Sequence, residues 1–146
     1  MKAKNFSLMD QHNTAFTLSD FRGRKVLLSF HPLAWTDICA AQMKSLEKHR
    51  KLFEKLNTVS VGISVDSVPC KHAWARSLRV KDTRLLSDFW PHGKVAKSFG
   101  ILRDREGFSE RAIIVLDEKG SALFVKIYPI PHVPELSKII EVLQRE

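Results

Sequence analysis

Cysteine is scarce in this chain: there are two, Cys39 and Cys70, among 146 residues. Two thiols cannot build a disulfide framework, and so few suit a reducing compartment. Long apolar runs are also missing, since nothing approaches the roughly 18 residues a membrane span needs. No membrane partner is expected. The opening stretch MKAKNFSLMDQHN carries two lysines with no apolar segment behind them, which does not read as a secretory signal. The expected location is cytoplasmic. No internal repeat, low-complexity tract or break in composition divides the chain, so residues 1–146 read as a single domain. The six histidines show no metal-ligand spacing, and no metal or other cofactor is expected.

What is abundant is positive charge: 24 Lys and Arg against 16 Asp and Glu, a formal +8. Basic residues gather in Lys44–Lys55 and Arg76–Arg84. No nucleic-acid recognition motif accompanies them, so they read as solvated helix faces rather than a nucleic-acid interface.

The apolar pattern predicts the elements. Phe6 and Leu8, then Phe16 and Leu18, alternate with polar neighbours on either side of DQHN, as in a β-hairpin. Val26–Phe30 is a near-continuous apolar run, the mark of a central strand covered on both faces. Pro32 cannot continue such a strand. Thr36 suits a helix N-cap, with the helix over about Asp37–Leu56 and an apolar side of Leu46, His49, Phe53 and Leu56. A second strand follows at 58–65, where valine and isoleucine alternate with small residues that let a helix approach. Ser67 and Pro69 open a helix over about Val68–Leu78, and Leu85–Leu86 is a short strand. A short helix over His92–Phe99 ends at Gly100. Arg111–Leu116 and Ser121–Tyr128 form a hairpin around DEKG, and Pro134 opens a last helix. This order gives an α/β class: a central mixed β-sheet flanked by helices, with an N-terminal β-hairpin, as in the thioredoxin-like fold.

Cys39 falls in the first turn of the first long helix, just after a strand and loop. Unsatisfied N–H groups and the helix dipole favour a thiolate there. The plainer reading is a buried cysteine packed as a small hydrophobe. Likewise Thr36 could only cap its helix and Pro32 could only end a strand. Arg111, at a strand start, could pair with Glu106 or Glu110.

Three stretches change the balance. Pro32, Thr36 and Cys39 are spaced as PxxxTxxC; residues 85–100 read LLSDFWPHGKVAKSFG; and Arg111 opens RAIIVLDEKG. Together they resemble the peroxiredoxins of the AhpC/TSA group, closest to the AhpE-like one-cysteine and the Q types, across Phe16 to Gly120. The resemblance implies a thiol peroxidase reducing hydrogen peroxide and organic hydroperoxides through a cysteine sulfenic acid, an antioxidant activity. It makes Cys39 the peroxidatic nucleophile, Arg111 and Thr36 its activators and Pro32 its shield. Gln42 stands where the family carries Glu or Gln, beside the site. Trp35 and Trp90 stand where it carries aromatics, as pocket walls or dimer contacts. His31 departs from the family, which usually has an aromatic residue before the proline. The implied partners are a peroxide, a thiol reductant of thioredoxin, glutaredoxin or low-molecular-weight type, and a second copy in a homodimer.

A sulfenic acid must be reset by a thiol. Lys44 occupies the position of one family resolving cysteine, five residues after Cys39. Cys70 fits the helix in which some Q-type members carry theirs, whereas the AhpE resemblance favours a one-cysteine cycle. Two other functions remain in view. A thioredoxin-like disulfide oxidoreductase would want a CxxC pair, but AAQM follows Cys39. A redox sensor or chaperone would use oxidation of Cys39 to alter a binding surface.

Overall fold

The computed structural model describes residues 1–146. In chain order the strands are β1 (Ser7–Met9), β2 (Ala15–Thr17), β3 (Lys25–Phe30), β4 (Thr58–Ser64), β5 (Arg84–Ser87), β6 (Leu102–Arg103), β7 (Phe108–Ser109), β8 (Arg111–Leu116) and β9 (Ala122–Tyr128). The helices are α1 (Asp37–Lys48), α2 (Arg50–Lys55), α3 (Val68–Leu78), α4 (Lys94–Ser98) and α5 (Ser137–Arg145). Seven strands form one sheet in the order β2-β1-β5-β4-β3-β8-β9. The β3-β4 and β4-β5 pairs are parallel and the others antiparallel, which is the mixed sheet expected.

Every residue of β3 is buried, as its near-continuous apolar run leads one to expect. Strand period 2 sends successive side chains to opposite faces, so Leu27 and Leu28 enter different cores. Leu27, Leu85, Ile113 and Val115 pack against Met43 of α1, Phe53 of α2, Trp74 of α3 and Ile139 of α5. Leu28, Phe30, Val61, Ile63 and Ile114 face α4 and Phe16 of the N-terminal hairpin. On β4 the small-residue face does admit a helix: a Cβ at Gly62 would collide with Met43 Sδ of α1.

Several boundaries differ from the sequence expectation. The helix over Asp37–Leu56 is two helices, broken at His49, which leaves α geometry (φ −97°, ψ 7°). Its ring Nδ1 turns back onto the Ser45 carbonyl at 2.8 Å, and Leu46 and Phe53 still reach the same core. The last helix starts at Ser137, three residues beyond Pro134, although Leu136 is already buried. The short helix starts at Lys94, where the buried Asp88 carboxylate accepts the Val95 and Ala96 N–H groups at 3.1 and 2.9 Å. That capping comes from six or more residues upstream, beyond the reach of a local N-cap pattern. The β6-β7 ribbon, two residues a side, is too short to leave a periodic signal.

Candidate active site

Strand β3 ends at Phe30, and the chain passes through buried His31 and Pro32 into a tight turn. Asp66 anchors this turn by accepting the Ala34 N–H at 2.8 Å. Trp35 takes a left-handed conformation (φ +69°), a strained choice for a bulky residue, and so aims the chain into α1. The first helical bond joins Ala40 N–H to the Thr36 carbonyl at 2.9 Å. Cys39 therefore lies in the opening turn, whose amides have no acceptors within the helix. Its side chain is only 1% exposed.

Arg111 reaches the same point from the start of β8. Its Nη1 donates to Cys39 Sγ at 3.4 Å and to Gln42 Oε1 at 2.7 Å, and its Nε donates to the Ile130 carbonyl at 2.8 Å. Gln42 is held in turn, because its Nε2 donates to Ser29 Oγ at 2.6 Å and to the Phe30 carbonyl at 3.1 Å. The guanidinium is thus fixed by three residues, and it brings a permanent positive charge to a buried thiol. The surface pairing open to Arg111 in the sequence does not occur. Glu106 and Glu110 both pair with Arg103 instead, at 3.9 and 2.8 Å.

A buried cysteine in a helix's first turn, hydrogen-bonded to an arginine from a distant strand, fits the family suggested by the sequence. Residues 1–122 match the AhpC/TSA family. The chain belongs to it. Alkyl hydroperoxide reductase E of Mycobacterium tuberculosis is 37% identical over 126 residues, 86% of this chain and 82% of that protein. Peroxiredoxin-1 of Gallus gallus is 31% identical over 136 residues, 87% of this chain and 67% of the relative. The crystal structure of peroxidoxin BcpB from Mycobacterium tuberculosis superposes with a TM-score of 0.86 at 28% identity, over 99% of this chain and 95% of that one.

Within this peroxiredoxin, not every sequence-predicted residue joins the cluster. Thr36 occupies the N-cap position, but its side chain caps no amide and does not bond the sulfur. Its hydroxyl donates to the Leu33 carbonyl at 3.1 Å, closing the turn in which Trp35 is left-handed. Trp35 and Trp90 are 56% and 80% exposed, so both stand at the surface rather than walling a closed pocket. Pro32 is buried between the strand end and the turn. Gln42, read from sequence as a neighbour of the site, is its hub.

Cys70 is half-buried in the first turn of α3, packed against the core that holds Cys39, and both cysteines are free. Ser67 Oγ accepts its backbone N–H at 3.4 Å, the N-cap anticipated from sequence. Its thiol donates to Asp66 Oδ1 at 3.8 Å. Burial, then the Asp66 charge, pushes the Cys70 thiol pKa up.

One pair escaped the sequence reading. His31 and Lys71 are both fully buried, with Lys71 Nζ 2.8 Å from His31 Nε2. The signal for Lys71 was available: on α3 it precedes buried Trp74 and Ala75 by three and four residues, a place on the apolar stripe. Among these residues no group of three or more His, Cys, Asp or Glu is placed to hold a metal.

Proposed function

We propose that this peroxiredoxin is a thiol-dependent peroxidase that reduces hydrogen peroxide and organic hydroperoxides through a sulfenic acid on Cys39. The observation that carries the reading is the single Arg111 nitrogen shared between Cys39 Sγ and Gln42 Oε1. The Cys39 thiolate attacks the terminal peroxide oxygen along the O–O axis. An S–O bond forms, the O–O bond breaks, and the leaving alkoxide or hydroxide takes a proton to become alcohol or water. Negative charge moves from sulfur onto oxygen along this path. Fixed donors at that point stabilise the transition state with no reorganisation as charge develops. Arg111 is one such donor, and the free amides of the first turn of α1 are others. Pro32, buried at the end of β3, takes the family's shielding role and limits water at the sulfur. Thr36 acts through the backbone turn it closes, and its hydroxyl can leave the Leu33 carbonyl for the peroxide.

A disulfide oxidoreductase is not favoured, since the second thiol lies on another helix rather than three residues on. For the reset we favour an external thiol, in a one-cysteine cycle. Cys70 is held as a thiol beside the Asp66 carboxylate, a poor state for attack on a sulfenic acid. The exposed side chains of Trp35, Phe89 and Trp90 support a homodimer in which a partner covers some of this apolar surface. No helix is long and apolar enough to cross a membrane, and two free cysteines suit a cytoplasmic setting for one domain of this size.

Mass spectrometry after one equivalent of hydrogen peroxide tests the cycle. The expected product carries one added oxygen on Cys39, in the unmodified protein and in Cys70→Ser alike. A Cys39–Cys70 disulfide in the unmodified protein would replace the one-cysteine cycle with a two-cysteine one. No oxidation at Cys39 would remove the peroxidase reading itself.

A further inference from the structure

Lys71 and His31 present two basic nitrogens to each other inside the protein, 2.8 Å apart and both without solvent exposure. Only one of the facing nitrogens can donate, so the pair holds one proton on the axis between them. Burial, then the Lys71 charge, lowers the His31 pKa well below its ordinary value, which leaves the imidazole neutral. The extra proton therefore belongs to Lys71, with His31 Nε2 accepting. That choice puts the imidazole hydrogen on Nδ1, a buried atom that makes no well-aligned hydrogen bond and has the Ser29 backbone as its polar neighbour.

The charge is not neutralised by a dedicated carboxylate. Asp66, the nearest acid, already accepts from Ala34 N–H, Ser64 Oγ and the Cys70 thiol. The groups facing Lys71 are Asp66 from the loop after β4, Cys39 from α1, Cys70 from its own helix and His31 from the loop after β3. Arg111 of β8 acts on His31 from the other side. The Trp74 ring lies 5.6 Å from the ammonium and 5.3 Å from the His31 ring, and shares the apolar core with Cys39. An apolar side chain would fill this site without burying a charge.

We infer that Lys71, held by His31, is a positioning residue that brings a second, removable positive charge to act on the Cys39 thiolate, in addition to the permanent one on Arg111. The inference rests on the peroxidase reading of Cys39. Burial pushes the Lys71 pKa down to about 7, against the opposing pull of Asp66, Cys39 and Cys70. The ammonium is thus present on the acid side of pH about 7 and lost on the alkaline side. Peroxide reactivity gains from it on the acid side.

The charge opposes folding while it assists the thiolate. Unfolded lysine titrates near 10.4, so between about 7 and 10.4 the unfolded chain binds the extra proton and stability rises with pH through that window. Below it the full cost of the buried charge is present. Removing the charge should therefore stabilise the fold on the acid side, an effect opposite to that of losing a packing residue.

The test compares Lys71→Met and Lys71→Arg, each in Cys70→Ser so that one thiol is read. Thiolate absorbance without peroxide and the stopped-flow rate with hydrogen peroxide are followed over pH about 5 to 9. At pH about 6, Lys71→Met should show several-fold less thiolate, a rate lower by about tenfold, and a higher urea midpoint. The alkaline decline in rate near pH 7 should vanish in Lys71→Met, because the group that titrates there is gone. Lys71→Arg, charged throughout, should restore the rate at pH about 6 and likewise lack the decline. An unchanged thiolate fraction and an unchanged pH profile in folded Lys71→Met would overturn the inference. A slow peroxide reaction in the parent protein at every pH would instead count against the peroxidase reading, while the thiolate fraction still decides the role of Lys71.

Discussion

Cys39→Ser should abolish peroxide reduction, with a loss of at least about 10³-fold, because a serine hydroxyl is not ionised at neutral pH and cannot replace the thiolate. The substitution changes little else. The side chain keeps its length and its place in the first turn of α1, and the hydroxyl can accept from Arg111 Nη1 as the sulfur does at 3.4 Å. Stability should move by about 1 kcal/mol or less. Peroxide consumption with dithiothreitol as reductant, beside a urea denaturation curve, checks both halves. Substantial turnover in a folded Cys39→Ser protein would move the nucleophile elsewhere, and Cys70 is the other thiol available.

Arg111→Met is expected to slow oxidation of Cys39 by about 10²- to 10³-fold, the usual effect of losing a preorganised charge at a developing anion. Methionine fills most of the aliphatic volume of the arginine. It leaves the buried Gln42 Oε1 without its donor, an unsatisfied acceptor costing about 1–3 kcal/mol, and frees the half-buried Ile130 carbonyl at a smaller cost. Those costs are offset because a buried guanidinium no longer has to be desolvated. The rate should therefore fall far more than the stability. Arg111→Lys separates charge from geometry: one ammonium cannot serve Cys39, Gln42 and the Ile130 carbonyl from the directions of a planar fork. It should recover only part of the rate. Stopped-flow rates at one pH, with circular dichroism to confirm folding, decide between an activating and a merely structural arginine. Equal rates for Arg111→Met and the unmodified protein would remove Arg111 from the mechanism.

Where sequence and structure agree, the signal was local or strongly periodic. The near-continuous run Val26–Phe30 meant burial on both faces, and β3 is buried throughout. The alternation of Val59, Val61 and Ile63 with small residues marked a strand with room for a helix, and Met43 fills the space over Gly62. Ser67 and Pro69 located the start of α3 to the residue. Cys39 and Arg111 were singled out 72 positions apart because the family pattern joins them; nothing local to either residue would have paired them.

What was not legible depended on contacts between distant segments. Thr36 looked like a cap and a thiolate donor, yet the left-handed Trp35 turns its hydroxyl to Leu33. Backbone conformation of that kind leaves no trace when the residue is neither glycine nor asparagine. The family pattern placed Gln42 beside the site, but its part as the hub emerges only where Ser29, Phe30 and Arg111 converge on it. Lys71 was passed over because lysine on a helix is normally solvated. Its stripe position beside Trp74 outweighed its residue type, and the fold buried it against His31.

Peroxide reduction by this protein depends above all on Cys39 being a thiolate activated for attack. The most direct measurement is the second-order rate constant for oxidation of reduced protein by hydrogen peroxide at neutral pH, followed by tryptophan fluorescence in a stopped-flow instrument. It is expected to exceed that of a free cysteine thiolate by several orders of magnitude, since electrostatic preorganisation of this kind contributes about 10²–10³ for a single donor and Arg111 acts with the helix N-terminus. A rate constant equal to that of the free thiolate would contradict it.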